Sequence, residues 1–230
     1  MLMINRRGKA WWRLLSGLLL LISLSSLTLW LLNEQKIITA LKSNYGVRAA
    51  DRGIAWFDIL DSAQQLSDIE KLTKVNSFFN MLYFIDDKQL WGEDNYWATP
   101  LEFIGVKGGD CEEFAIAKYF TLLALGIDDQ KMRITMVKAL TLNQYHMVLS
   151  YYETPGSVPL VLDNLDMQIK PANQRQDLDP IYSFNGSQLW LNKEKGQGVL
   201  VGKSDRLDRW TNLIQRMEFS RMKQPKLRME

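Results

Sequence analysis

The chain of 230 residues contains one cysteine, Cys111, and one histidine, His146. A single cysteine excludes an internal disulfide, so its thiol is either buried and inert or reactive. If an imidazole activates this thiol, it must be that of His146. The sequence also lacks internal repeats, low-complexity tracts and any stretch typical of a domain linker. These absences favour one ordinary globular domain with its own core.

Acidic residues are missing from the start of the chain. Of the 28 basic residues, Arg6, Arg7, Lys9 and Arg13 all precede the first acid, Glu34, which leaves 24 basic against 26 acidic residues in the remainder. The excess of positive charge therefore comes from the amino-terminal end. It does not indicate a nucleic-acid-binding surface on the domain.

Charge is also absent from residues 14–32, LLSGLLLLISLSSLTLWLL, which follow the basic cluster. Such a segment is oriented with its amino terminus in the cytoplasm, so the rest of the chain should be exported. We favour an uncleaved membrane anchor, because no A-x-A cleavage site follows and Trp30 occupies an interfacial position. A cleaved signal peptide is the alternative. The predicted organisation is therefore residues 1–32 as basic end and anchor or signal, and residues 33–230 as the exported domain.

The rest of the sequence predicts helices first and antiparallel strands later. Residues 35–82 have helical periodicity, whereas residues 84–100 have none and predict a long functional loop. Three capping patterns mark helix starts, each with an acid three residues after the cap: Ser67 with Glu70, Thr99 with Glu102, and Asp110 with Glu113.

Strands are predicted over residues 132–140, 145–153 and 158–163, and the last two are joined by the turn TPGS at 154–157. A second hairpin is predicted over residues 181–184 and 188–191 around Asn185 and Gly186. This order of elements predicts the α+β class.

The chemistry is concentrated where Cys111 follows the helix cap Asp110. A helix amino terminus lowers a thiol pKa, and a histidine can lower it further. In the hairpin closed by TPGS, His146 lies opposite about residue 165, so Asp163 is within reach of its side chain. This arrangement is that of a nucleophile, a base and an orienting carboxylate. The residues alone leave a plainer alternative open, in which Cys111 is a small core residue and His146 is simply packed.

Three stretches carry a resemblance to a known family: YWATPLEFIGVKGGDCEEFAIAKYFTLL at 96–123, YHMVL at 145–149 and LVLDN at 160–164. They resemble the bacterial transglutaminase-like cysteine proteases, in particular the periplasmic adhesin-releasing (LapG-type) group, over roughly residues 35–200. The resemblance implies a papain-like α+β fold with Cys111 as nucleophile, His146 as general base and Asp163 as orienting carboxylate.

The resemblance further implies a calcium requirement, with metal-binding acids at Asp110 and Glu112. Alternate residues at a helix start point to different sides, so we expect these two carboxylates to converge on the ion while the Cys111 thiol points into the cleft. Calcium takes about 6 to 8 oxygen ligands, so backbone carbonyls and Asp94 or Asn95 are expected to complete the site. From the residues alone, Asp110 is only a helix cap and the glutamates only favour the helix dipole. Glu113 departs from the family's more frequent aspartate.

By resemblance, the activity is that of a periplasmic cysteine endopeptidase that cuts the amino-terminal region of a large surface adhesin near two adjacent alanines and so promotes biofilm dispersal. The implied inhibitor is the periplasmic domain of an inner-membrane cyclic-di-GMP receptor. For the oxyanion hole, the backbone N–H of Cys111 needs a second donor, for which the Trp97 indole is one candidate. A transglutaminase-type acyltransferase and a non-catalytic binding module of the same fold are the alternatives.

Overall fold

The computed structural model describes residues 33–192, 198–218 and 221–229. The segment predicted to be an anchor or signal, residues 14–32, lies outside this part of the chain. Within the described ranges, no helix is both long and apolar enough to cross a membrane.

Most helices lie in the first half of the described chain, as the sequence predicts. In chain order they are α1 (33–45), α2 (Val47–Ala63), α3 (Asp68–Phe79), α4 (Asp87–Leu90), α5 (Pro100–Val106), α6 (Cys111–Ala124) and α7 (Asp208–Gln215). All three predicted capping boxes are confirmed, at the starts of α3, α5 and α6. Each box satisfies backbone N–H groups that a helix start leaves without partners.

The strands form two sheets. They are β1 (Tyr83–Phe84), β2 (Gly108–Gly109), β3 (Met132–Ala139), β4 (Gln144–Tyr151), β5 (Leu160–Leu162), β6 (Lys170–Pro171), β7 (Leu178–Phe184), β8 (Gln188–Leu191) and β9 (Val199–Lys203). β1 and β2 form a small parallel pair, and the others form an antiparallel sheet in the order β6-β5-β4-β3-β7-β8-β9. The predicted α+β class is therefore confirmed.

The main core lies between α6 and one face of the large sheet. α6 packs on β4 and β3, and α3 and α5 pack against α6. Ile134, Leu149 and Leu162, on adjacent strands, contribute to this core together with Phe114 and Ile116 of α6. The helix that begins with Cys111 is thus fixed by burial along its length against the centre of the sheet.

The predicted register between β4 and β5 is confirmed. Leu149 lies opposite Leu162 and Ser150 lies opposite Val161, as the turn at 154–157 requires. β5 ends at Leu162 because the next residue, Asp163, bonds locally: its Oδ1 accepts the backbone N–H of Leu165 at 3.0 Å. Such a bond competes with strand pairing and releases the chain from the sheet at this position.

The long functional loop predicted over residues 84–100 is partly replaced by regular structure. β1 ends in this stretch, α4 follows, and Leu90, Trp91 and Ala98 form a small buried cluster with Val106 of α5. Periodicity could not reveal α4, because its four residues make little more than one turn.

Candidate active site

Cys111 is the first residue of α6, as the sequence predicts. α5 ends at Lys107, whose φ of 71° is left-handed, and β2 then leads directly to the cap Asp110. Gly109 is required here because a Cβ atom would lie 2.8 Å from Oε2 of Glu113. The Glu113 carboxylate uses that space to accept the backbone N–H of Asp110 at 3.0 Å, and its other oxygen accepts the N–H of Ala98 at 2.8 Å.

The surroundings of the Cys111 thiol are acidic. Sγ donates to Oε2 of Glu112 over 2.8 Å, so the expectation that the thiol points away from this carboxylate is wrong. Burial, followed by the charges of Glu112 and Asp110, raises the pKa of the Cys111 thiol well above its usual value. The backbone N–H of Met147, the residue after His146, opposes this shift. The thiol therefore lies beside β4, next to the position of the histidine. In this arrangement the thiol is protonated.

His146 and Asp163 are joined as the sequence predicts. Nε2 of His146 lies 2.7 Å from Oδ1 of Asp163, and both side chains are buried. Burial raises the Asp163 pKa, but the hydrogen bond and charge of His146, the Leu165 N–H and Arg175 outweigh it and hold this pKa at about 2. An ionised Asp163 fixes the tautomer with the proton on Nε2 and leaves Nδ1 of His146 as the proton acceptor.

Arg175 completes this pair and is a residue that the sequence reasoning missed. Its Nη2 donates to Oδ2 of Asp163 at 2.7 Å and to Oδ2 of Asp177 at 2.8 Å, and its side chain is 4% exposed. Arg175 follows Asp163 in an irregular segment where no motif marks it. Asp166, the nearby alternative carboxylate, pairs instead with Lys170 at 2.7 Å.

Four carboxylates meet beside the thiol, more than the two that the sequence assigned to a metal. One oxygen each of Asp87, Asp110 and Glu113 lies within 4.8 Å of the others, and the same holds for ligand atoms of Asp110, Cys111 and Glu112. Asp94, expected to join them, pairs with Lys88 at 3.0 Å and is mostly exposed. Asp87 takes the place that the sequence gave to Asp94, and only the tertiary structure reveals it.

The four carboxylates are close together and largely buried, an arrangement that a bound cation would stabilise. Both oxygens of Asp87 are buried, and neither has a hydrogen-bond partner of normal geometry in the described part of the chain. Burial, then the charge of Glu112, raises the Asp87 pKa to about 7, and the same two causes raise the Asp110 pKa to about 9. Burial, then Asp110, also raises the pKa of Glu113. Oxygen donors of this kind suit calcium, so these residues fit the metal that the resemblance implies.

Trp97 lies in the loop that Glu113 binds. Its ring stacks on Phe184 with centroids 5.8 Å apart, and Nη2 of Arg216 donates to its carbonyl at 2.5 Å. The indole Nε1 is buried and has no hydrogen-bond partner among the described residues. A buried N–H without a partner lowers the stability of the fold, so such a group is often kept for a functional reason. Trp97 therefore remains a candidate donor to a reaction intermediate.

The sequence of this site lies within a region that matches a known protein family. The model of a protein family described as bacterial transglutaminase-like cysteine proteinase matches residues 58–200, which span Asp87, the Cys111 helix, His146, Asp163 and Arg175. The chain belongs to this family. Among curated protein sequences, none matches the chain significantly.

Three solved structures of LapG from Legionella pneumophila resemble this transglutaminase-like proteinase, each with 45% sequence identity over 80% of the chain. The EGTA-treated form has a TM-score of 0.72 and is covered over 97% of its length. The form titled simply LapG has a TM-score of 0.71 at 97% coverage, and the calcium-bound form has 0.70 at 99%. The predicted fold and the membership of the transglutaminase-like cysteine protease family are therefore confirmed, and calcium binds a structural relative.

Proposed function

We propose that this protein is a calcium-dependent cysteine endopeptidase that uses Cys111, His146 and Asp163. The observation that carries the proposal is the 2.7 Å contact between His146 and Asp163, two residues predicted to form a pair before the fold was considered. Cys111 stands at the amino terminus of α6, beside the Met147 N–H that directly follows His146. These are the nucleophile, base and orienting group of acyl transfer.

In the proposed reaction, Nδ1 of His146 takes the proton of the Cys111 thiol, and the thiolate attacks a peptide carbonyl carbon. The Cys111 backbone N–H and the Trp97 indole N–H stabilise the oxyanion. His146 then gives its proton to the leaving amine, and an acyl-enzyme remains on Cys111. Water hydrolyses the thioester with His146 as base, which regenerates the thiol and releases a carboxylate.

Asp87, Asp110 and Glu112 would hold the calcium ion, with Glu113 beside them. When bound, the ion offsets the negative charge around the start of α6, which otherwise disfavours the thiolate. The residues themselves supply the second effect: Glu112, engaged as a ligand, is no longer free to accept the thiol proton in a hydrogen bond.

The proposed substrate is the amino-terminal region of a large surface adhesin, cut near two adjacent alanines in the periplasm, with release of the adhesin and biofilm dispersal as the result. We further propose that the periplasmic domain of an inner-membrane cyclic-di-GMP receptor inhibits the protease, and that residues 14–32 tether or export it. The support for these statements is the motif resemblance and the similarity to LapG.

The test mixes the full chain, purified in detergent, with the amino-terminal fragment of the host's large adhesin, in calcium or in chelator. Discrete smaller products are expected in calcium, and none with chelator or with Cys111→Ala. Because Cys111 is the single cysteine, that variant removes every thiol. Cleavage by Cys111→Ala would remove the nucleophile assignment, and products of higher mass would indicate acyl transfer to an amine.

A further inference from the structure

The small strand β1 has one open edge. It pairs with β2, and no other strand in the described part of the chain pairs with it. The N–H groups of Tyr83 and Ile85 donate to the carbonyls of Lys107 and Gly109. Since neighbouring residues of a strand direct their amides to opposite sides, the N–H and C=O of Phe84 face away from β2. Neither group has a hydrogen-bond partner among the described residues.

This edge lies close to the nucleophile along the backbone. Phe84 is opposite Gly109, two residues before Cys111. Adjacent strands lie about 4.8 Å apart, so a strand added to β1 would run about 10 Å from β2. At about 3.3 Å per residue, an extended peptide crosses that distance in roughly three residues. A chain that pairs with Phe84 would therefore lie about two strand spacings from the backbone that leads into Cys111.

Exposed apolar side chains surround the edge. We define the β1 rim as Met81, Tyr83, Phe84, Leu165 and Met167, each at least half exposed. The rim has one part on β1 and another at Leu165 and Met167, and two asparagines at the end of α3 hold these parts together. Asn80 donates to the carbonyl of Asp163 at 2.8 Å, and Asn76 donates to the carbonyl of Met167 at 2.9 Å.

The β1 rim therefore extends from the open edge to the segment that carries the triad carboxylate. Exposed edges beside apolar side chains are normally covered or blocked by charge. The one charge found over a β1 side chain in the described part of the chain is Lys107, whose Nζ lies 4.7 Å from the centre of the Tyr83 ring and leaves that side chain half exposed.

We propose that β1 is the docking strand for the peptide substrate. An extended segment of the substrate adds to the open edge through the N–H and C=O of Phe84, and its apolar side chains lie on the β1 rim. Backbone pairing of this kind gives affinity with little sequence demand, while the rim selects apolar residues at alternate positions. This inference rests on the proposed endopeptidase function, because a substrate that must pass Cys111 is the occupant that the position of β1 favours.

The first test compares Phe84→Pro with Phe84→Ala in the full chain. Proline removes the outward N–H, and proline is tolerated on a strand edge where that N–H faces solvent. Alanine keeps the N–H and removes the side chain. With a peptide that spans the cleavage site, the kcat/KM of Phe84→Pro should be about 2- to 12-fold lower than that of Phe84→Ala. The difference should lie mainly in KM. The alkylation rate of Cys111 by iodoacetamide should be the same in both variants, since that reagent needs no docking.

The second test uses the unaltered protein and avoids any effect on folding. Each backbone amide of the peptide is replaced in turn by an ester, which removes one N–H donor. We expect the rate of cleavage to fall only for ester substitutions on one side of the scissile bond, about two to four residues away from it. Uniform insensitivity, together with equal KM for the proline and alanine variants, would overturn the inference while leaving the protease function intact.

Two further outcomes also decide against the inference. If the unaltered protein cleaves no peptide, the proposed function fails and the docking strand fails with it. If Phe84→Pro converts a dimer into a monomer in sedimentation without changing KM, the open edge pairs with a second copy of the chain.

Discussion

Arg175 donates to Oδ2 of Asp163 over 2.7 Å, so the carboxylate that holds His146 is itself held from the other side. Both residues are almost fully buried. The two hydrogen bonds use different oxygens of Asp163 and therefore fix the plane of the carboxylate. The orientation of the imidazole thus depends on Arg175 as well as on Asp163.

The first prediction concerns this ion pair. Arg175→Leu leaves a buried carboxylate without its partner, and the expected loss is about 3 to 5 kcal/mol in the free energy of unfolding. Urea titration measures it. Arg221→Leu is the control, because Arg221 pairs with Glu218 at 3.8 Å on the surface and should change stability by less than about 1 kcal/mol. Equal stability of the two variants would contradict the role given to Arg175.

The second prediction separates Asp163 from the neighbouring carboxylate Asp166. Asp163→Asn removes the negative charge that stabilises a protonated His146 and no longer fixes its tautomer, so kcat should fall on the order of 10²- to 10⁴-fold. Asp166→Asn loses only a partly exposed pair with Lys170 and should keep nearly full kcat. Steady-state kinetics with the adhesin fragment measure both variants, and the reverse ranking would reassign the third member of the triad.

The third prediction tests the metal ligands. Asp87→Asn removes a buried carboxylate whose oxygens have no hydrogen bond of normal geometry within the described residues, so calcium affinity in calorimetry should fall at least about 10-fold. Asp94→Asn is the matched control, since Asp94 is exposed and bonds Lys88. Weaker binding by Asp94→Asn with normal binding by Asp87→Asn would restore the assignment made from the sequence.

The fourth prediction is a pH dependence of the calcium effect. The pKa of Asp87 is raised to about 7 and that of Asp110 to about 9, so between about pH 4 and pH 9 the folded protein binds more protons than the unfolded chain. Without calcium, the stability from these groups is full below about pH 4 and is lost as the pH rises through those values. Calcium competes with the protons, so it should raise the melting temperature much more at pH 8 than at pH 5.5. A shift that is equal at both pH values would argue against these ligands.

The fifth prediction concerns the second oxyanion donor. Trp97→Phe keeps an aromatic ring against Phe184 and removes the indole N–H. If that N–H stabilises the oxyanion, kcat should fall roughly 10²- to 10³-fold with little change in KM. Trp91→Phe is the control, because the buried indole N–H of Trp91 also has no partner among the residues that the structure describes, but its ring belongs to the separate cluster around Leu90 and Val106. Near-normal kcat in Trp97→Phe would assign the donor elsewhere.

Local rules in the sequence determined much of this protein. Each capping box places a side-chain oxygen where a helix start has free N–H groups, so the beginnings of α3, α5 and α6 could be predicted. The turn at 154–157 set the register of β4 and β5, which brought Asp163 to His146. With a single cysteine and a single histidine in the chain, the catalytic candidates had no competitors.

Tertiary structure alone decided the surroundings of those residues. Asp87 is held near Asp110 because Leu90 and Trp91, at the end of α4, pack with Ala98 and Val106. Arg175 reaches Asp163 from an irregular segment, and no sequence periodicity marks either contact. The hydrogen bond between Cys111 and Glu112 likewise depends on the burial of the thiol beside the carboxylates of Glu112 and Asp110. Charge and burial act through space, so the sequence named the candidate nucleophile, base and carboxylate, whereas the fold set the electrostatics around them.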